Sequence, residues 1–346
     1  MRKIKAALLS YGMSGRVFHA PFLELHDGFE LTGAWERSKK LIQADYPRVK
    51  SYGSIEELLA DDVELVVVNT PVETHYEYAK KALLAGKHTL VEKAFTTTAA
   101  EAEELLAIAK EKNLKLTVYQ NRRWDSDFKT VKQVVEQGLL GDIVEAEFHF
   151  DRYNPLLSPK THKETVNAGA GVLKDLGSHI IDQALFLFGY PEAVHGDVRI
   201  TRENSLVDDW FDISLYYPDK RVRLKAGFFV REAIPAYIVH GKKGTFLKQR
   251  GDIQEDVLKL GEKPNRTTWG TEPADKEGLL HTDINGEAVR KTIPTLQGNY
   301  FELFDGVYAA IAEGKPEPVS AADGANTMRI IDAAIESSKQ KRIVTV

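Results

Sequence analysis

The run Val63-Glu64-Leu65-Val66-Val67-Val68 constrains this chain more than any other six residues. It is too short for a stable helix, rich in β-branched residues and nearly all apolar, which suits a strand buried on both faces. Such a strand belongs to a parallel sheet covered by helices, and the neighbouring sequence supplies both. Ile4–Leu9, Leu31–Trp35, His88–Val91 and Leu114–Val118 are further short apolar runs. Between them lie helix signals. Ser54-Ile55-Glu56-Glu57 has the form of a capping box, a helix runs from about Glu73 to Gly86, and Thr98 caps Ala99–Lys112, which Asn113 stops. The alternation predicts an α/β fold with a doubly wound parallel sheet. In open sheets of this kind ligands bind beyond the carboxyl ends of the strands, where Gly12, Glu36, Thr70, Lys93 and Asn121 fall.

At 346 residues the chain exceeds one ordinary core, which predicts two domains. The boundary expected is 121/122, with residues 1–121 holding the parallel sheet and 122–346 a second, α+β domain. A helix runs to about Gln137, and from Ile143 the pattern becomes one of strands. Ile143–Phe150, Asp209–Tyr217, Arg221–Val230, Ala236–His240 and Thr245–Lys248 have strand character. Tyr217-Pro218-Asp219-Lys220 and Gly241-Lys242-Lys243-Gly244 are turns between some of them, which predicts an antiparallel sheet. Gly251–Val289 reads as irregular, a loop or flap. Two helices, about Asn299–Glu313 and Ala321–Lys339, close the chain, the last available to pack back on the first domain.

A net charge of -5 and the absence of any Lys/Arg-rich block argue against a nucleic-acid-binding surface. The chain has no cysteine, which removes disulfides, thiolate catalysis and Cys-ligated metals. No segment reaches the ~20 apolar residues of a membrane span, and the apolar run at the N-terminus is too short for a signal sequence. A cytoplasmic protein is expected.

The turn after the first strand, Ser10-Tyr11-Gly12-Met13-Ser14-Gly15, is a dinucleotide fingerprint with serine in its first position. Gly12 lets backbone approach a pyrophosphate, and Gly15 lets helix and strand pack closely. By itself a two-glycine match is an ordinary βα turn; strand, turn, helix and the acidic Glu36 after strand two together favour a cofactor. Glu36 can accept from a ribose diol, as NAD requires, whereas Arg37, Ser38 and Lys39 can hold the 2′-phosphate of NADP. The plain alternative is that these charges are solvated.

Lys93 follows the strand Thr89-Leu90-Val91-Glu92 and is placed to donate to a substrate oxygen on which negative charge develops, with Glu92 pairing with it or orienting it. In Thr70-Pro71-Val72-Glu73-Thr74-His75, His75 either lines the cofactor pocket or is a helix N-terminal residue facing solvent. In the second domain Asp175 and His179 lie four apart on a helix from Lys174 to Gly189, so both project from one face. A carboxylate and an imidazole so placed can hold a hydroxyl and exchange its proton near neutral pH, since a free imidazole titrates at ~6.5. A solvated i,i+4 pair is the alternative. Gly177, costing about 1 kcal/mol inside a helix, suggests that something approaches closely there. A metal would need more ligands than this helix offers, and none is expected. Asn121, Arg122, Arg123, Arg152 and Tyr153 are candidates to contact a hydroxylated substrate, or else packing and ion-pair residues.

With these motifs the chain resembles, along essentially its whole length, the Gfo/Idh/MocA oxidoreductases. The carriers are Ser10–Gly15, Thr70–His75, Val91-Glu92-Lys93 and Asp175-Leu176-Gly177-Ser178-His179. Phe18-His19-Ala20-Pro21 and Tyr119–Phe128 resemble a narrower branch that contains NADP-dependent scyllo-inositol dehydrogenases. The resemblance implies a Rossmann domain followed by an α+β domain with a large, mostly antiparallel sheet. It implies that Lys93, Asp175 and His179 take the catalytic positions and that Gly12, Met13, Ser14, Gly15, Glu36, Arg37, Ser38, Thr70, Pro71, His75 and Glu92 line the site for NADP or NAD, with NADP favoured. Ala94 stands where the family has proline, so Lys93 is expected to be less restricted. The implied activity is hydride transfer between the nicotinamide and a cyclic polyol or sugar, in a homodimer or homotetramer. A non-catalytic dinucleotide sensor, or a reductase of a non-sugar substrate, are the competing readings.

Overall fold

A computed structural model of the chain describes residues 2–36, 39–159 and 164–346. The valine-rich run forms β4 (Leu65–Val68), all four residues buried. It lies centrally in a six-stranded sheet ordered β3-β2-β1-β4-β5-β6, every pair parallel. The others are β1 (Ile4–Leu8), β2 (Phe29–Trp35), β3 (Lys50–Tyr52), β5 (His88–Val91) and β6 (Leu116–Val118). The order turns back at β1, and that reversal opens the crevice in which ligands of such sheets bind. Local signals account for the helices. The helix Ala99–Glu111 begins with a complete capping box, Thr98 Oγ1 accepting from the Glu101 amide while Glu101 accepts from the Thr98 amide.

The chain divides into two compact units. Residues Met1–Asn121 are joined in the first by Gln254–Thr267 and Tyr300–Ala325, two stretches that the sequence places in the second domain. Aromatic packing explains the return. On the helix Phe301–Glu313, Phe301 and Phe304 lie 4.9 and 5.2 Å from the Phe22 ring, and Tyr308 lies 5.9 Å from Phe29. Asp305 on this helix accepts from His26 Nε2 (2.9 Å) and from both terminal nitrogens of Arg266 (2.8 Å each).

Burial pushes the Asp305 carboxyl up, but the bonds from His26 and Arg266 outweigh it and hold its pKa at about 2, against 3.8 normally. A carboxyl whose folded pKa is depressed contributes stability above its unfolded pKa and loses it as pH falls toward the folded one. Asp305→Asn should therefore destabilise the protein at neutral pH, by an amount that shrinks between about pH 4 and pH 2. Urea unfolding of both proteins across that window checks it; a gap independent of pH would contradict the assignment.

The second unit is built on a nine-stranded sheet ordered β14-β13-β12-β11-β7-β10-β9-β8-β15. Its strands are β7 (Ile143–His149), β8 (Ala193–Arg199), β9 (Trp210–Tyr216), β10 (Arg221–Gly227), β11 (Tyr237–Gly241), β12 (Gly244–Lys248), β13 (Gly278–Ile284), β14 (Glu287–Ile293) and β15 (Val344–Thr345). All neighbours are antiparallel except β7 and β10. Burial alternates along the central strands, with Ala146, Phe148, Ile213, Leu215, Val222, Leu224 and Val239 inward. Gly251–Val289 is not a loop. It holds the helix Gln254–Lys259, the strand β13 and the start of β14. β14 is an exposed edge strand without an apolar alternation, while Asn285 and Gly286 turn the hairpin with positive φ of 53° and 86°. Among the described residues no helix is long and apolar enough to cross a membrane.

Candidate active site

In the first unit Ser10 stands in the first position of the glycine turn and is bonded through both side chain and backbone. Its hydroxyl accepts from the Gly12 amide (3.2 Å) and its carbonyl accepts from Asn69 Nδ2 (2.8 Å). A Cβ on Gly15 would stand 2.4 Å from that carbonyl, so only glycine fits. The chain then enters a π-helical turn, Gly15–His19, before the α-helix Ala20–Leu25. Met13 is 51% exposed.

Glu92 joins this turn to the end of β5. Its Oε1 accepts from Ser14 Oγ (2.5 Å) and His19 Nε2 (2.8 Å), and its Oε2 from the Lys93 backbone amide (3.2 Å). Burial pushes the Glu92 carboxyl up, yet the bonds from His19 and Ser14 outweigh it and leave its pKa below the usual range. Glu92 thus braces the glycine turn against the backbone of the residue expected to be catalytic. His19 was not among the candidates; it lay in Phe18-His19-Ala20-Pro21, whose branch likeness named no task for it.

The Lys93–Ala94 peptide is cis, and Ala94 is buried. His75 is buried too, 1% exposed, which corrects the solvent-facing alternative. Its Nδ1 lies 2.8 Å from the Ala94 carbonyl and its Nε2 2.8 Å from that of Thr70. Burial lowers the pKa of its ring against the pull of those two carbonyls. The imidazole ties together the loops that follow β4 and β5. Pro71 is exposed at the first of these loops, and Thr70 Oγ1 bonds Thr74 Oγ1 at 2.6 Å.

At the end of β2, Glu36 accepts from the backbone amides of Leu41 (2.7 Å) and Ile42 (3.1 Å). Both carboxylate oxygens are used in this way, on the start of the short helix Ile42–Asp45. Arg37 and Ser38 lie outside the described residues. Asn121, after β6, is buried.

In the second unit the segment bearing Asp175 and His179 is not one regular α-helix. Leu173–Gly177 is a π-helical turn, continued by the α-helix Ser178–Phe188. π-helical turns are uncommon and concentrate at functional sites. Asp208 secures its start, taking the Leu173 amide at 2.8 Å on its side chain and the Val172 amide at 2.8 Å on its carbonyl. His179 is 4% exposed, and Asp175 is half-buried. What approaches Gly177 is the core: a Cβ there would lie 2.9 Å from Leu173 and 3.2 Å from the Phe211 ring.

One turn further on, Asp182 receives a two-pronged bond from Arg123, Nε to Oδ2 at 2.8 Å and Nη2 to Oδ1 at 2.7 Å, both side chains buried. Arg123 is therefore an ion-pair residue of the core. Gln183 donates to the Arg122 carbonyl (2.8 Å) and accepts from the Tyr237 hydroxyl (3.2 Å). The Arg122 guanidinium bonds Asp125 (3.0 Å), whose carboxyl burial and the nearby Asp252 push well above the usual range. Arg122 and Arg152 are brought together on the Phe150 ring, 5.0 and 5.2 Å from its centre. Tyr153 is exposed, pairs with Phe229 and carries Arg231 over its ring at 4.1 Å.

The glycine turn with no room for a side chain at Gly15, opening a helix after β1, fits a dinucleotide pyrophosphate. Residues 4–120 match the family model for the NAD-binding Rossmann fold of the Gfo/Idh/MocA oxidoreductases, and residues 132–346 match that for their C-terminal α/β domain. The chain belongs to the Gfo/Idh/MocA family. Like its relatives it is an NAD(P)-binding oxidoreductase. It is 40% identical over 342 residues to the scyllo-inositol 2-dehydrogenase (NADP(+)) IolW of Bacillus subtilis, covering 99% of this chain and 95% of that one. An uncharacterized oxidoreductase of Schizosaccharomyces pombe is 39% identical, with 98% of both chains covered. Among solved structures, an oxidoreductase candidate from Bacteroides fragilis is 44% identical with a TM-score of 0.91 and full coverage of both chains. The Bacillus subtilis protein yvaA is 39% identical with a TM-score of 0.94, covering 99% of this chain and 98% of that one.

Proposed function

We propose that this Gfo/Idh/MocA protein is an NADP-dependent dehydrogenase or reductase acting on a CH–OH group of a cyclic polyol or sugar. The observation that carries the reading is His179, buried beside a π-helical turn that bears Asp175 and anchored one turn on by the Arg123–Asp182 pair. The name of the Bacillus subtilis relative, scyllo-inositol 2-dehydrogenase (NADP(+)), supports the substrate class.

In this reading His179 takes the proton of the substrate hydroxyl during oxidation and returns it during reduction. Asp175 orients the hydroxyl or the imidazole. Lys93, its backbone amide fixed by Glu92, donates to the oxygen that gains negative charge. The chemistry that the dinucleotide supplies when bound is hydride exchange at the nicotinamide ring. The preference for NADP is supported by the NADP(+) in the name of the Bacillus subtilis relative; Glu36 accepts one backbone amide on each oxygen and keeps further acceptor positions. A homodimer or homotetramer in the cytoplasm completes the proposal.

The test is a polyol panel of inositols, glucose and xylose, assayed with NADP and NAD separately through nicotinamide absorbance. Reduction of NADP well ahead of NAD by at least one polyol is expected. Cofactor binding without hydride transfer from any polyol would reject the reading in favour of a sensor.

A further inference from the structure

We infer that His19 is a positioning residue: through Glu92 it holds the glycine turn and the backbone of Lys93 in one arrangement, so that cofactor affinity depends on a fully buried imidazole. The effect on the turn needs only the dinucleotide site, whereas the effect on Lys93 rests on the dehydrogenase reading.

His19 ends the π-helical turn Gly15–His19 and is wholly buried. Its ring centre lies 4.4 Å from that of Tyr119 and 6.4 Å from that of Phe304. Tyr119 is itself anchored, its hydroxyl donating to the Phe18 carbonyl at 2.9 Å. Among these rings an imidazole is a costly choice, because its Nδ1 is buried with no partner among the described residues, and an unmet buried polar atom destabilises a fold. The other ring nitrogen, Nε2, donates to Glu92 Oε1 at 2.8 Å. That bond is what the imidazole supplies and a phenyl ring in its place would not.

Glu92 passes the constraint on in two directions. Its Oε1 also takes the hydroxyl of Ser14, which lies in the glycine turn, and its Oε2 takes the backbone amide of Lys93. Burial pushes the Glu92 carboxyl up, and the bond from His19, ahead of that from Ser14, brings it below the usual range. An ionised carboxylate holds its donors more strongly than a neutral acceptor does. Of the two donors on Oε1, the Ser14 hydroxyl belongs to a half-buried turn residue and can rotate, whereas packing against Tyr119 and Phe304 confines the imidazole. The carbonyl of Ala94 is held separately by His75. Lys93 is thus gripped from both sides, and losing His19 loosens the amide side and the cofactor turn together.

Isothermal titration with NADPH and NADH tests the inference, using for every variant whichever of the two the wild type binds more tightly. His19→Phe keeps an aromatic ring in the pocket but offers no donor, while His19→Gln keeps a donor and gives up the ring. His19→Phe should weaken cofactor binding at least about tenfold, the scale of one charge-assisted hydrogen bond, and His19→Gln should bind more tightly than His19→Phe. A residue that only fills space predicts the reverse order. Melting curves establish that each variant is folded, and His19→Leu stands in for the phenylalanine variant if that one is not. In a Glu92→Leu background the further change His19→Phe should cost no more affinity, because both remove one bond. Wild-type affinity in His19→Phe, a glutamine variant that binds more weakly still, or additive losses in the double variant overturns the inference. Turnover is scored separately. With a polyol that the wild type oxidises, His19→Phe should lower kcat at saturating cofactor, and should not lower it further in Lys93→Ala; an unchanged kcat overturns the part concerning Lys93. Failure of the wild type to oxidise any polyol removes the dehydrogenase reading and leaves the cofactor result standing.

Discussion

Replacing His179 by alanine is expected to lower kcat by roughly 10²- to 10⁴-fold, the range contributed by a positioned general acid–base. The dissociation constant of the cofactor should stay the same, because the glycine turn is held by the bonds of Ser14 and His19 to Glu92. His179 is almost fully buried, so its loss also leaves a gap. His179→Gln fills much of that gap without restoring a group that titrates near neutrality, and should be as inactive as the alanine variant. Steady-state rates alongside cofactor titration separate these effects. A glutamine variant with wild-type kcat would take His179 out of the mechanism.

Asp182→Ala should cost about 3–5 kcal/mol of stability, the usual penalty for leaving one partner of a buried ion pair behind. Arg123 would keep its place over the Phe186 ring, 4.3 Å from its centre, with its two-pronged bond to Asp182 lost. Replacing both partners, as Arg123→Met with Asp182→Leu, removes charge and counter-charge together and should recover most of the loss. Urea unfolding followed by tryptophan fluorescence is the measurement, since Trp124, Trp210 and Trp269, three of the four tryptophans, belong to the second unit. If the single variant unfolds with the wild type, the pair is not supporting the helix. The two results bear on one another: loss of the pair should also lower activity, because His179 lies one turn from Asp182.

Much of the fold was legible because burial leaves a periodic trace. β4 is covered on both faces and reads as an unbroken apolar run, while Ile213 and Leu215 alternate with half-exposed neighbours. Thr98 and Glu101 announce a helix start over three residues, within the reach of local pattern. β14 left no such trace, being exposed almost throughout; its marker was the Asn285-Gly286 turn. The turn at Asp175 was also hidden. A spacing of four residues looks the same whether the backbone passes through an α- or a π-helical turn. Side-chain roles set by distant partners were the least legible. Arg123 meets Asp182 59 residues away, and His75 reaches a carbonyl 19 residues on. Gly177 pointed correctly to a close neighbour, but that neighbour is Phe211.

The first unit is assembled from three stretches of chain, and a ribosome delivers them far apart in time. Val118, whose amide bonds the Val319 carbonyl, emerges about 200 residues ahead of its partner, a delay of roughly 10–40 s at 5–20 residues per second. Throughout that interval Phe22 waits for the rings of Phe301 and Phe304, and the nascent amino-terminal half shows apolar surface to chaperones. A premature stop before Phe301 would strip the cofactor-binding unit of these rings, so a lesion late in the gene registers at the beginning of the protein.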